Sequence, residues 1–229
     1  LGIARKYFGF SDDVDRLLNE AIEVMKRAGA VIVDPVNLAP SKDYEASENE
    51  VLLYEFKHDL NQYLGGLGPG APIHSLKELI EFNEKNRDRE MPYFGQELLL
   101  KAESKGPLTS PDYLKALEKN RRLSGKDGID AVIAKDRLDA IIAPTGGPAW
   151  TTDLLNGDHF TGGSSTPAAV AGYPNINVPA GFIHELPIGI SFFGAAYSEA
   201  KLIKLAYGFE QATRHRRAPG FLPTAGLQA

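Results

Sequence analysis

The chain has 229 residues, 43% of them hydrophobic and 24% charged. That is the composition of an ordinary globular protein with a sizeable core, and it excludes collagen-like, disordered and disulfide-scaffold classes. A formal charge of -5 predicts no general attraction to nucleic acid or an anionic membrane, and the absence of Cys removes disulfides, thiolate nucleophiles and Cys-ligated metals and fits a reducing, cytoplasmic setting.

No run approaches the roughly 18 apolar residues that a membrane-spanning helix needs; the best, residues 186–196, is broken by Pro187, Gly189 and Gly194. The first residue is Leu1 and the methionines are Met25 and Met91, so a preceding segment is expected. Leu1 to Ala4 reads as a strand. Ser11 then suits an N-cap, followed by Asp12 and Asp13, whose charges complement a helix N-terminus. Val14, Leu17, Leu18, Ala21, Ile22 and Met25 recur at helical spacing until Gly29. Residues 30–33 form a β-branched run stopped by Asp34-Pro35, which predicts a second strand and, with the elements before it, α/β architecture.

Residues 48–64 predict a second helix, and Ser75 caps a third that carries Leu76, Leu79 and Ile80. Residues 84–90 mix both charges and read as a solvated face or loop. A further helix starts after Ser110-Pro111 and runs through Leu114 and Leu117 toward Ile133, with Gly125 and Gly128 as weak points. Beyond Arg137 the pattern changes to short apolar runs between Gly and Pro: residues 138–143, 175–178 and 188–193, each read as a buried strand. Ser198 and Glu199 open a last helix. The expectation is one α/β unit over 1–229, helix-rich over 1–135 and strand-rich over 136–229, the latter with a final helix.

Several motifs mimic catalytic ones without their context. The glycines between 65 and 70 follow no strand and precede no Gly-Lys-Ser/Thr, so they read as a turn. Ser198 and Lys201 have Ser-x-x-Lys spacing, yet a serine that opens a helix is ordinarily its cap. Ser191 sits mid-strand, which is wrong for a nucleophile elbow. The five His show no ligand spacing, and neither a metal nor another cofactor is expected. The run Arg214 to Arg217 closes a helix, where cations complement the dipole. Gly162-Gly163-Ser164-Ser165-Thr166-Pro167 is different. Small residues with hydroxyls after a long Gly-rich loop read either as a loop that lets a substrate approach the backbone or as a structural turn. Trp150, in that loop, reads either as a wall for an apolar substrate group or as a plug over a core.

Three stretches in order, residues 138–145 (LDAIIAPT), 168–181 (AAVAGYPNINVPAG) and 186–194 (LPIGISFFG), resemble the C-terminal half of the amidase signature family. Glu55-Phe56-Lys57 and Met91 to Glu97 are similar to pieces of the same family. The resemblance implies a mixed sheet covered by helices, an α/β/α fold, and hydrolysis of linear amide C–N bonds by a Ser, cis-Ser, Lys triad. The triad and its Gly- and Ser-rich signature belong to the family's N-terminal half and do not occur in this sequence. The resemblance therefore assigns no catalytic residue to this chain and predicts that the chain alone is inactive. It implies a substrate-binding role for Thr145, Trp150, Gly162, Gly163, Ser164 and Ser165. The implied partners are a small-molecule or peptide amide and the N-terminal half of the same amidase, with no nucleic acid or membrane; a homo-oligomer stays open. A glutamyl-tRNA amidotransferase A-type subunit is the alternative, but such subunits tend to carry an acidic residue shortly before the proline equivalent to Pro167, where Gly162 and Gly163 stand. The other alternative is a non-catalytic remnant.

Overall fold

The structure is a computed structural model and describes residues 1–221; residues 222–229 of the expected strand-rich span lie outside the described residues. In chain order its elements are β1 (Gly2–Ile3), α1 (Asp12–Arg27), α2 (Glu45–Gly65), α3 (Leu76–Lys85), α4 (Arg87–Glu90), α5 (Glu97–Glu103) and α6 (Pro111–Asn120). These are followed by a π-helical stretch (Arg121–Asp130), α7 (Ala131–Asp136), β2 (Ile141–Pro144), α8 (Thr166–Ala171), β3 (Asn175–Ile183), β4 (Leu186–Phe193) and α9 (Glu199–Thr213). The chain forms two compact units: Leu1–Ser41 with the chain from Arg121 onward, and Lys42–Asn120.

The first unit is built on a mixed sheet of order β1-β2-β4-β3. β1 runs parallel to β2, and β4 pairs antiparallel with both β2 and β3. Because side chains alternate along a strand, the sheet has two apolar faces to cover. On one, Ile142, Ile190 and Phe192 pack against Val14, Leu18 and Ile22 of α1 and Leu202 and Phe209 of α9. On the other, Ile141, Ala143 and Phe193 meet Ile129 of the π-helical stretch, Val132 of α7 and Ala168 of α8. Helices thus cover both faces, as an α/β/α fold requires. The Ser11 hydroxyl caps α1 by accepting from the Val14 N–H at 3.5 Å.

The sequence pattern and the structure differ in several places, among them the helices α5 and α8, which the pattern does not announce. Residues 30–33 make one bridge, Val33 with Gly2, instead of a strand; Val31 is 80% exposed. The chain leaves β1 for a tight turn at Arg5–Tyr7, so this segment has no longer partner to pair with. The run from Leu138 becomes a strand only at Ile141, because α7 ends in a left-handed residue, Arg137, and the Leu138 N–H still bonds back to the Ile133 carbonyl. β3 extends to Ile183 and is not buried as expected: Asn175 and Asn177 are exposed, since among the described residues only β4 pairs with it. Finally, the helix that opens at Pro111 continues as a π-helix through Gly125 and Gly128. A Cβ at Gly125 would lie 3.2 Å from the Tyr173 hydroxyl, which donates to Asp130 at 2.6 Å. That bond and partial burial push the Tyr173 phenol up to about 12.

The second unit is helical. Val51 and Tyr54 of α2 pack on Tyr113 and Ala116 of α6, and Leu53 packs with Leu76 of α3 and Ala102 of α5. Lys57 and Lys105 tie the α5 end to α2: Lys57 donates to the Glu103 and Lys105 carbonyls at 2.5 and 2.9 Å, and Lys105 reaches Glu50 at 2.6 Å. Ser75 caps α3 by accepting from the Glu78 N–H at 3.2 Å. The mixed-charge segment 84–90 includes the single-turn α4, with Arg87 bonded to Glu84.

Candidate functional site

Polar groups converge where β2 ends. Thr145 continues the strand by one residue, its N–H donating to the Gly189 carbonyl of β4 at 2.9 Å. The register sets Ala143 opposite Ser191 and Ser191 opposite Asn177, so Thr145, Gly189, Ser191 and Asn177 share one face. The Thr145 hydroxyl donates to Asn177 Oδ1 at 3.0 Å and lies 2.9 Å from Ser191 Oγ. A threonine hydroxyl has one proton. With that proton on Asn177, Ser191 must be the donor to Thr145, and the three form a directed chain. It satisfies Ser191, which is 2% exposed and would otherwise lose the free energy of a buried unpaired hydroxyl. Gly189 makes the chain possible: a Cβ there would lie 2.8 Å from Thr145 Oγ1 and collide with the Asn177 carboxamide.

The long loop after Thr145 returns to the same corner. Gly146 and Gly163 form an antiparallel bridge. Ser164 is fully buried; its hydroxyl donates to the Pro144 carbonyl at 2.7 Å and its N–H to the Thr145 carbonyl at 3.4 Å. Those two carbonyls sit at the end of β2, and Ser164 supplies a donor to each. Gly162 passes over Phe10, whose Cδ1 would lie 2.6 Å from a Cβ at that position, so no larger residue fits. Ser165 precedes α8 and differs sharply from its neighbour: it is exposed, and its side chain makes no capping bond.

Farther out in the loop, Trp150 is 43% exposed, so it does not plug a core. It meets Phe160 edge-on at 6.4 Å and reaches Asp158 with its indole N–H at 3.5 Å. Asp153 turns the chain by accepting from the Leu155 and Asn156 N–H groups, each at 2.9 Å. The backbone and side-chain bonds from Asn156, with the Leu155 N–H, hold its carboxyl down to about 2.

The structure thus brings together three of the six residues singled out by sequence, Thr145, Gly163 and Ser164. It places Gly162 beside them against Phe10 and leaves Ser165 and Trp150 facing solvent from the same loop. Sequence reasoning missed Asn177, Gly189 and the structural use of Ser191. The signal was there: positions 175 and 177 break an apolar run with two asparagines at the period of a strand. Ser198 and Lys201 form no pair, because Ser198 donates to the Ala195 carbonyl at 2.7 Å and Lys201 to Asp139 at 2.9 Å. Among the described residues no group of three His, Asp or Glu could hold a metal ion. A groove of about 740 Å³ between α1 and α9 is lined by Met25, Phe192, Leu205 and Phe209. It lies on the opposite sheet face from the hydroxyl chain, as the alternation of Phe192 with Ser191 dictates, and its one charged pair, Asp139 with Lys201, is internally compensated.

Comparison with known proteins adds the following. The family model described as amidase matches residues 1–203. A probable amidase of Arabidopsis thaliana is 35% identical over 96% of this chain and 41% of its own length. A crystal structure of a peptide amidase in complex with the competitive inhibitor chymostatin superposes with a TM-score of 0.87 at 44% identity, over 96% of this chain and 44% of that one. The A-type subunit of the glutamyl-tRNA(Gln) amidotransferase from Desulforudis audaxviator is 29% identical over 95% of this chain and 45% of its length. The chain therefore spans less than half the length of these relatives.

Proposed function

Since this chain belongs to the amidase family, we propose that it is the C-terminal portion of an enzyme that hydrolyses linear carboxylic amides and that it supplies one wall of the substrate pocket. In this reading the Ser, cis-Ser, Lys triad comes from the N-terminal half of the same amidase. The lysine, acting through the bridging serine, takes the nucleophile's proton; the acyl-enzyme forms as the amine leaves, and water then releases the acid. This chain holds none of those groups. Its contribution is a shaped, rigid corner: the hydroxyl chain and the Ser164 lock fix the base of the loop, from which Ser165 and Trp150 are presented.

The observation that carries the reading is that loop, closed by the Gly146–Gly163 bridge and the two Ser164 bonds onto the end of β2. In open α/β sheets ligands sit beyond strand ends, at such connections. Likeness to the peptide amidase over 96% of the chain favours peptide or other small amides as substrates. The amidotransferase relative supports the second reading, but Gly162 and Gly163 offer no carboxylate to receive the amino group of free glutamine. No helix among the described residues is long and apolar enough to cross a membrane, and the lack of Cys supports a cytoplasmic setting.

Two assays on the complete purified polypeptide separate the readings: release of ammonia from a peptide amide, and glutamine-dependent amidation of Glu-tRNA in the presence of partner subunits. The first is expected and the second is not. The reverse result would establish the amidotransferase, and failure of both would leave a non-catalytic remnant. Ser165→Ala should shift preference among amides; abolition of all turnover in a folded protein would make Ser165 a reacting group and overturn the pocket-wall role.

A further inference from the structure

We propose that Asn177 is a specificity-determining residue, whose side-chain NH2 receives the carbonyl oxygen of the peptide unit that precedes the scissile amide. This inference rests on the reading above and names the substrate class it selects: amides whose acyl part is itself acylated on nitrogen, as in a peptide.

Ser191 donates to Thr145 and Thr145 to Asn177 Oδ1, so the carboxamide oxygen is turned inward and held. Gly189 leaves the space that the carboxamide occupies beside β4. The two protons on Asn177 Nδ2 then point away from the network, and they have no partner among the described residues. A side chain that is exposed yet fixed at one end by a hydroxyl relay ending on the buried Ser191 is preorganised, and a donor held this way binds an acceptor without the entropy loss of ordering a free side chain.

Position supports the same conclusion. Asn177 lines a cleft of about 750 Å³ over the β3–β4 hairpin, walled by Pro179, Phe182 and Pro187 and by Arg216 and Arg217. Arg217 lies 4.3 Å over the Phe182 ring and pairs with Glu185 at 3.3 Å in an exposed contact. The cleft thus joins an apolar strip of Pro179, Phe182 and Pro187 to the charged side chains of Glu185, Arg216 and Arg217, with the oriented Asn177 amide donor at its Thr145 end. That combination suits an extended peptide: apolar side chains lie along the prolines and Phe182, and one backbone carbonyl meets Asn177.

The experiment compares two substrates on the complete enzyme, N-acetylphenylalaninamide and 3-phenylpropionamide, which share the ring and the scissile amide and differ in the acetylamino carbonyl. Asn177→Ala should lower the ratio of kcat/KM for the first over the second by about tenfold, mainly through KM, as expected for one lost hydrogen bond to substrate. Asn177→Asp keeps the size but replaces the donor with an anionic acceptor, and it should lose at least as much. Thr145→Val, which releases the carboxamide oxygen, should move the ratio in the same direction by a smaller factor. An equal loss on both substrates would make Asn177 merely structural and overturn the proposal. So would an Asn177→Asp enzyme that retains the preference, since the outward group would then not be a donor. If the wild-type enzyme hydrolyses neither amide, the proposed function itself fails and this inference falls with it. If it hydrolyses both and the ratio is indifferent to Asn177, this inference alone falls.

Discussion

The two faces of β4 carry the same strand through different physics. Ile190 and Phe192 point into the layer of α1 and α9 and are almost fully buried among aliphatic and aromatic side chains, with the Phe192 ring 6.0 Å from that of Phe209. Gly189 and Ser191, one residue out of phase, face Thr145 and Asn177. One face is filled to exclude water, and its worth scales with the area it hides. The other is apolar again at Phe193, which packs with Ile141 and Ile129, but at Gly189 and Ser191 it leaves room for a chain of oriented hydroxyls, whose worth lies in direction and not in area. The period of two keeps these polar atoms out of the layer packed by α1 and α9.

Substitutions can break the two faces separately. The largest effect is expected on the apolar one: Phe192→Ala in the complete enzyme should cost about 3–5 kcal/mol of stability, read as a lowered denaturation midpoint. At temperatures where the variant remains folded, its ratio of rates on different amides should not change. Ser164→Ala tests the lock beneath the loop. It strands the Pro144 carbonyl, and the expected loss is about 1–3 kcal/mol in stability, with proteolysis in the 146–163 loop as a second readout that a pure core substitution would not share. Trp150→Ala should leave stability nearly unchanged, since the ring is 43% exposed, yet lower kcat/KM for bulky amides by about 1–3 kcal/mol of lost apolar contact. An equal effect on small and bulky amides would detach Trp150 from the pocket wall.

The smallest effect concerns pH, and it belongs to neither face. Arg5 grips Asp34 with two hydrogen bonds of 2.8 and 2.6 Å, which hold the Asp34 carboxyl below its ordinary range. A folded-state value below the unfolded one means that the contribution is complete above the unfolded carboxylate pKa and is lost as the pH falls through the folded value. With the side chains about one-third exposed, it amounts to no more than about 1 kcal/mol. Asp34→Asn should therefore lower the denaturation midpoint slightly at neutral pH and make no difference once the pH has fallen below the folded-state value, which lies under the ordinary carboxylate range. A gap between wild type and variant that persists into strong acid would show that the aspartate acts through something other than its charge.

Much of this molecule is determined by its sequence alone. Ser11 and Ser75 cap the helices they precede because a side-chain oxygen ahead of an apolar period is the local solution for unpaired N–H groups. The runs at 141–144 and 188–193 are strands because both sheet faces are covered, and such strands read as unbroken apolar stretches. The order of the motifs also carried the family, and the loop ahead of Pro167 stood out by its small residues. Tertiary structure decided what depends on a neighbour far along the chain. The run at 30–33 has high strand propensity but only a brief partner in β1, so it forms one bridge. Gly125 and Gly128 look like breaks, yet with Tyr173 and α8 packed against them the helix widens instead of ending. Ser164 and Ser165 are indistinguishable as residue types; one is buried on a carbonyl twenty positions away and the other faces water. The alignment of Ser191, Thr145 and Asn177 depends on the β2–β4 and β3–β4 registers together. The β3–β4 register follows from the tight turn at His184 and Glu185, but β2 and β4 pair from distant parts of the chain, and no local pattern sets how they align.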